Sequence, residues 1–122
     1  MDEIKSPKRY DLEERTFLFA RSCRDFIKKL PRTITNIEYG KQLARSFGSQ
    51  AANYIEANES LGKKDFLMRI KICRKESKES SLWLKLCESP NEAYFKIEQE
   101  NLFKESMELT NIFGAIVRKS SS

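Results

Sequence analysis

The sequence predicts an all-α fold in which four antiparallel helices form an up-down-up-down bundle. Apolar residues recur every three or four positions in four separate segments, which is the spacing of an amphipathic helix. Short breaks that contain proline, glycine or asparagine separate these segments, so consecutive helices have to run antiparallel. The 122 residues are enough for one domain with a core of its own.

The first helix is predicted to cover residues 12–30. Its core-facing positions are Leu12, Thr16, Phe19, Cys23, Phe26 and Leu30. Pro31 ends the helix because a residue that precedes proline is displaced from the helical region of backbone conformation. Residues 1–9 are polar and contain a proline, so we predict a flexible arm there, followed by a bundle over residues 10–118.

The second helix is predicted over residues 37–58 or a little beyond, with Thr35 or Asn36 as its N-terminal cap. One face is an apolar seam made of Leu43, Phe47, Gln50, Tyr54, Ala57 and Leu61. Beside it runs a polar ridge that consists of Ser46, Ser49, Asn53, Glu56 and Ser60. Three interpretations of this ridge are open: it is solvated, it is satisfied by cations of a neighbouring helix, or it faces another subunit.

The third helix is predicted over residues 64–88, after Gly62, which suits the left-handed backbone of a helix end. Its core-facing positions are Phe66, Ile70, Cys73, Ser77, Ser80, Leu84 and Cys87. A separate row at heptad spacing consists of Arg69, Glu76 and Trp83. A row that combines charge with the only tryptophan is typical of an interface, either with another subunit or within a buried polar network.

The outer face of this third helix is basic. Lys64, Lys71, Lys75, Lys78 and Lys85, here called the lysine stripe, fall on one side of the helix over a length of about 30 Å. Between Lys63 and Lys85 there are eight basic and three acidic residues, a balance of +5 that equals the net charge of the whole chain. The stripe predicts contacts with the phosphates of RNA or DNA, and a solvated face is the alternative.

The fourth helix is predicted over residues 91–118, with Pro90 near its start. Its apolar set consists of Phe95, Leu102, Leu109, Ile112, Phe113 and Ile116. Residues 119–122, a lysine and three serines, are predicted to be a disordered tail.

Several kinds of chemistry find no support in the sequence. Histidine is absent, which removes the commonest general base and zinc ligand, and no phosphate loop or nucleophile motif is present. The three cysteines lie in apolar seams without metal-binding spacing. We therefore predict no enzyme activity, no metal and no cofactor. Since no apolar segment reaches membrane-spanning length or forms a signal peptide, a cytoplasmic location is expected.

Four segments together resemble the four-helix-bundle proteins encoded in intervening sequences of bacterial 23S ribosomal RNA genes. These are residues 10–14 (YDLEE), 26–31 (FIKKLP), 49–56 (SQAANYIE) and 64–85 (KDFLMRIKICRKESKESSLWLK). The most specific pattern is formed by Ser49, Asn53 and Glu56. One departure is Ala57, which stands where many members have glycine.

The resemblance implies a left-handed bundle that assembles as a homopentamer. It also implies a more distant likeness to the accessory variability protein of diversity-generating retroelements, which binds reverse transcriptase and nucleic acid. The leading hypothesis is therefore a non-enzymatic, oligomeric protein that binds RNA through the lysine stripe. The alternative is a pentameric scaffold or accessory subunit that binds a protein partner.

Overall fold

The computed structural model of the protein describes the backbone of residues 7–121 and the side chains of residues 12–121. Over this part the chain forms four helices and no strand: α1 Pro7–Lys29, α2 Ile34–Asn58, α3 Lys63–Leu86 and α4 Ala93–Ser121. The predicted all-α four-helix bundle is confirmed. None of these helices, over residues 7–121, combines the length and apolar character that a membrane span requires.

Both terminal helices extend beyond the residues predicted for them. α1 begins at Pro7, inside the predicted arm, because proline is favoured at the first position of a helix, where no amide hydrogen is needed. The rest of that arm, residues 1–6, lies outside the described residues. α4 continues to Ser121, where Arg118 and Lys119 occupy a last turn that favours positive charge. The final residue of the predicted tail, Ser122, is also outside the described part.

The ends of α2 differ from the prediction for local reasons. Its N-cap is Thr33, whose hydroxyl accepts a hydrogen bond from the Asn36 amide at 3.1 Å. The last turn is tightened by hydrogen bonds from the Glu59 amide to the Glu56 carbonyl and from the next amide to Ala57, both at 3.1 Å. Gly62 is therefore not needed as a left-handed terminator. It has extended backbone angles and is the N-cap of α3.

Asn36, which was predicted as a possible N-cap, links the two loops at one end of the bundle through its side chain. Its side-chain amide donates to the carbonyls of Pro31 and Glu88 at 3.0 and 2.9 Å, and its carbonyl accepts from the Glu88 amide at 2.8 Å. Asn36 is buried, and these three bonds use both of its amide hydrogens and give its carbonyl oxygen a partner in the absence of solvent. This bridge joins the start of α2 to the end of α3, which requires the two helices to be antiparallel.

The other neighbouring helices are antiparallel as well. Lys29 at the end of α1 pairs with Glu98 near the start of α4, at 2.8 Å. Asn58 at the end of α2 donates to Glu13 near the start of α1, also at 2.8 Å. In sequence order each helix packs on the next, and α1 closes the bundle against α4.

Most of the predicted core positions are buried, whereas Phe47 of α2 and Phe95, Ile112 and Ile116 of α4 are half-buried. Every predicted position of α1 is enclosed, as are all predicted positions of α3 except the half-buried Phe66. Leu61 is the clear exception, because α2 ends at Asn58 and leaves Leu61 fully exposed in the following loop. The core also contains close hydroxyl pairs: Ser46 with Ser80 at 2.7 Å between α2 and α3, and Ser81 with Ser106 at 2.6 Å between α3 and α4.

Candidate nucleic-acid interface

The lysine stripe lies on the exposed side of α3. All five of its side chains are exposed, and none forms an ion pair with any side chain among residues 12–121. Lys85 alone has a specific contact, with its Nζ 5.7 Å from the centroid of the Phe103 ring. The other four ammonium groups are open to a ligand from solvent.

Packing on three sides orients α3 so that the stripe faces outward. Ile70, Cys73 and Leu84 on the opposite side of the helix are fully buried in the core. One flank is joined to α2 by polar side chains, and the other flank packs on α4 through Ser81 and Ser106. Because α3 cannot rotate without breaking these contacts, the direction of the lysines is fixed by the fold.

The polar contacts between α2 and α3 form a chain of four side chains, called here the α2–α3 polar network. Arg69 Nη1 donates to Asn53 Oδ1 at 2.9 Å, Asn53 Nδ2 donates to Ser49 Oγ at 3.2 Å, and Ser49 Oγ donates to Glu76 Oε2 at 3.2 Å. Asn53 of the polar ridge therefore contacts a cation of the neighbouring helix, which is one of the three interpretations that the sequence left open. All four residues are half-buried.

Two residues predicted for the same surface lie outside this network. Glu56 is exposed, and its side chain has no partner among the described residues. Trp83 is half-buried and stacks on Tyr39 of α2, with ring centroids 6.0 Å apart and planes inclined by 27°. The tryptophan therefore contributes to packing between α2 and α3 within one chain.

The basic surface also includes a residue that the periodicity did not single out. Arg74 is exposed on the side of α3 that faces α4, between Lys71 and Lys78 along the helix surface. Its guanidinium lies beside the buried Gly114 of α4, with Nε 3.2 Å from the point that a Cβ on this glycine would occupy. Only the glycine in α4 could have indicated this contact from the sequence.

Two cations of α1 have acidic partners on α4. Arg15 of α1 binds Glu105 at 2.7 Å and Glu108 at 2.6 Å, and the hydrogen bond to Glu105 is the largest cause of its raised pKa. The hydrogen bond from Lys29 to Glu98 likewise raises the pKa of Lys29. Arg15 and Lys29 are thus compensated by carboxylates of α4, whereas no lysine of the stripe has such a partner among residues 12–121.

A cavity of about 640 Å³ opens at the end of the bundle where α1 and α3 begin. Its walls are mostly apolar side chains of all four helices, including Leu12, Tyr54, Phe66 and Ile116. Arg15 lies at its edge but is engaged by the two glutamates of α4.

The three cysteines are buried elsewhere in the core, and burial raises the pKa of each thiol, so none is poised as a nucleophile at neutral pH.

No protein-family model and no curated protein matches the chain. A solved structure does match, with a TM-score of 0.70. The chain resembles an S23 ribosomal protein family structure. That neighbour is a protein of unknown function from Bacteroides thetaiotaomicron, 23% identical, and the match covers 86% of this chain and 96% of the neighbour. At this identity the likeness to the S23 family protein shows a shared fold, which agrees with the bundle described above.

Proposed function

We propose that this protein is a non-enzymatic RNA-binding bundle of the kind encoded in intervening sequences of 23S ribosomal RNA genes, acting in the cytoplasm. The observation that carries the proposal is the row of five exposed lysines on α3, which have no acidic partner among residues 12–121. Lysines at this spacing contact phosphates as point charges and read no base sequence. The likeness in fold to the S23 family protein supports the same proposal.

Removal of the central lysines tests this function. We expect the triple variant Lys71→Gln, Lys75→Gln, Lys78→Gln to bind a duplex RNA at least about tenfold more weakly at low salt, because up to three phosphate contacts are lost. The slope of log affinity against log salt concentration should become shallower by about 2 to 3 for the same reason. Fluorescence anisotropy across a salt series measures both quantities.

A matched triple variant separates local contacts from net charge. Lys41, Lys96 and Lys104 are exposed on α2 and α4, and their replacement by glutamine removes the same charge from other surfaces. This control should retain most of the affinity. Equal losses in both triple variants would show that RNA responds only to the overall charge, and the stripe would then be a solvated face.

A second candidate function is a self-associating scaffold or accessory subunit, with a homopentamer as the assembly that the family resemblance favours. Its support is an exposed apolar surface at the end of the bundle where α2 and α4 begin. Ile34, Leu86, Tyr94 and Ile97 are all exposed there. Exposed apolar side chains that gather at one place are typical of protein-binding surfaces.

The double variant Tyr94→Ser, Ile97→Ser is expected to reduce the mass measured by light scattering if this end joins subunits. Leu61→Ser is the matched control, since Leu61 is just as apolar and fully exposed but lies at the opposite end. A wild-type protein that is already monomeric at micromolar concentration would exclude the homo-oligomer. An unchanged oligomer in the double variant would mean that the subunit interface lies on another surface.

A further inference from the structure

The fold brings one aromatic side chain to the lysine stripe. The aromatic residues of α3 itself lie on other faces of the helix, where Phe66 packs against the core and Trp83 stacks on Tyr39 of α2. Phe103 comes instead from α4 and is half-buried. Lys85 Nζ lies over its ring, 5.7 Å from the centroid, so the face of the ring is turned toward the stripe.

Two exposed apolar side chains adjoin this ring. Leu82 and Met107 directly follow Ser81 and Ser106, the hydroxyl pair that joins α3 to α4. Because the two helices are antiparallel, both apolar side chains emerge on the same side of this contact. Phe103 precedes Met107 by one turn of α4, which places the two on one face. A small apolar surface at the C-terminal end of the lysine stripe therefore consists of Leu82, Phe103 and Met107.

The lysines that border this apolar surface have no acidic partner among residues 12–121. Lys78 lies two turns before Lys85, about 10 Å away along α3, and both are exposed. Glu88 follows Lys85 by three residues and Glu100 precedes Phe103 by three, yet neither forms an ion pair with a lysine of the stripe. An aromatic face beside uncompensated cations is typical of sites that bind single-stranded nucleic acid.

We infer that Phe103 stacks on a base of single-stranded RNA while Lys78 and Lys85 bind the neighbouring phosphates. This inference rests on the proposed function and names its substrate class, because the bases of a duplex stack on one another and cannot cover a protein ring. When Lys85 moves from the ring to a phosphate, the ring face becomes free for a base. Since every base has a flat face, such a site selects unpaired strands without reading their sequence.

Replacement of the ring by an apolar side chain without an aromatic face tests the stacking. Phe103→Leu is expected to bind a short oligouridylate about 5- to 10-fold more weakly, whereas its affinity for duplex RNA of equal length should change by less than about twofold. The slope of log affinity against log salt concentration should stay the same, because no phosphate contact is removed. Fluorescence anisotropy with both RNAs measures these quantities. Phe103→Met is a second replacement of the same kind and should behave alike.

Two further variants serve as controls. Phe103→Tyr keeps the aromatic face and should bind oligouridylate within about twofold of the wild type. Phe17 of α1 also has a cation beside its ring, with the Arg21 guanidinium 5.5 Å from the centroid, but α1 does not carry the lysine stripe. Phe17→Leu should therefore leave the affinity for both RNAs unchanged. Thermal melting of each variant checks that it is folded.

The outcomes separate this inference from the proposed function. Weaker binding of oligouridylate alone in Phe103→Leu, with an unchanged salt slope and recovery in Phe103→Tyr, supports the stacking site. If Phe103→Leu binds both RNAs like the wild type, or loses affinity for both equally, the stacking site is overturned while RNA binding by the lysines stands. If the wild-type protein binds neither RNA, the proposed function is wrong and the stacking site is overturned with it.

Discussion

Replacement of Phe113 by alanine is expected to lower the free energy of unfolding by about 3–5 kcal/mol. Phe113 is completely buried, and its ring contacts that of Tyr54 with centroids 5.9 Å apart, so it links α4 to α2 across the core. Truncation removes both the buried apolar surface and the aromatic contact and leaves a cavity. Since a domain of this size has a total stability of about 5–15 kcal/mol, the loss should be visible as a large shift in the urea midpoint.

Phe17 provides the control, because the same substitution of phenylalanine by alanine can be made there on the surface. It lies on the surface of α1 with 54% of its area exposed, and the Arg21 guanidinium lies 5.5 Å from the centroid of its ring. Phe17→Ala should change the free energy of unfolding by only about 0.5 kcal/mol. Equal effects of the two substitutions would contradict the assignment of Phe113 to the core.

Alkaline pH is expected to destabilise the fold through its buried thiols. Burial raises the pKa of Cys73 to about 12 and that of Cys87 to about 11, and it raises the pKa of Cys23 well above the ordinary value of 9.0. An unfolded thiol therefore loses its proton at lower pH than a folded one. The stability from this source is complete below pH 9 and is lost as pH rises toward 11 and 12, by up to about 1.4 kcal/mol per pH unit for each thiol.

Urea denaturation of the reduced protein at several values between pH 8 and pH 11 measures this dependence. Lysines and tyrosines titrate in the same range, so the slope has to be compared with that of Cys73→Ala. Above pH 9 the variant should lose stability less steeply than the wild type, by about 1.4 kcal/mol per pH unit. Identical slopes would mean that Cys73 is accessible to water in the native state.

Core and helix positions follow from the sequence because both depend on local spacing. Cys23, Phe26 and Leu109 repeat with the period of their own helices, and each is fully buried. The orientation of the lysine stripe follows in the same way, since the outer face of α3 is simply the side opposite its apolar seam. These features needed no knowledge of which helix lies beside which.

Features that depend on a partner helix could not be predicted from one segment. Asn36 resembles a helix cap in the sequence, but its side chain joins Pro31, in the loop before α2, to Glu88, which lies 52 residues after Asn36 in the chain. Glu56 shares the spacing of Ser49 and Asn53, yet the network on α3 does not reach it. Arg74 became distinguishable from the other cations only through its proximity to a glycine of α4.

The two serine pairs in the core affect which arrangement of helices the chain adopts. Ser46 with Ser80 and Ser81 with Ser106 meet at one axial position of α2, α3 and α4. Ser80 has no other hydrogen bond among the described residues, so a shift of α3 by one turn would take its buried hydroxyl away from Ser46, at a cost of about 1–3 kcal/mol if it stays unpaired. The other three hydroxyls also bond to carbonyls of their own helices, and the same shift would separate both serine pairs. Their main effect is therefore to discriminate against bundles with the same helices in a shifted register, even though each pair adds little to stability.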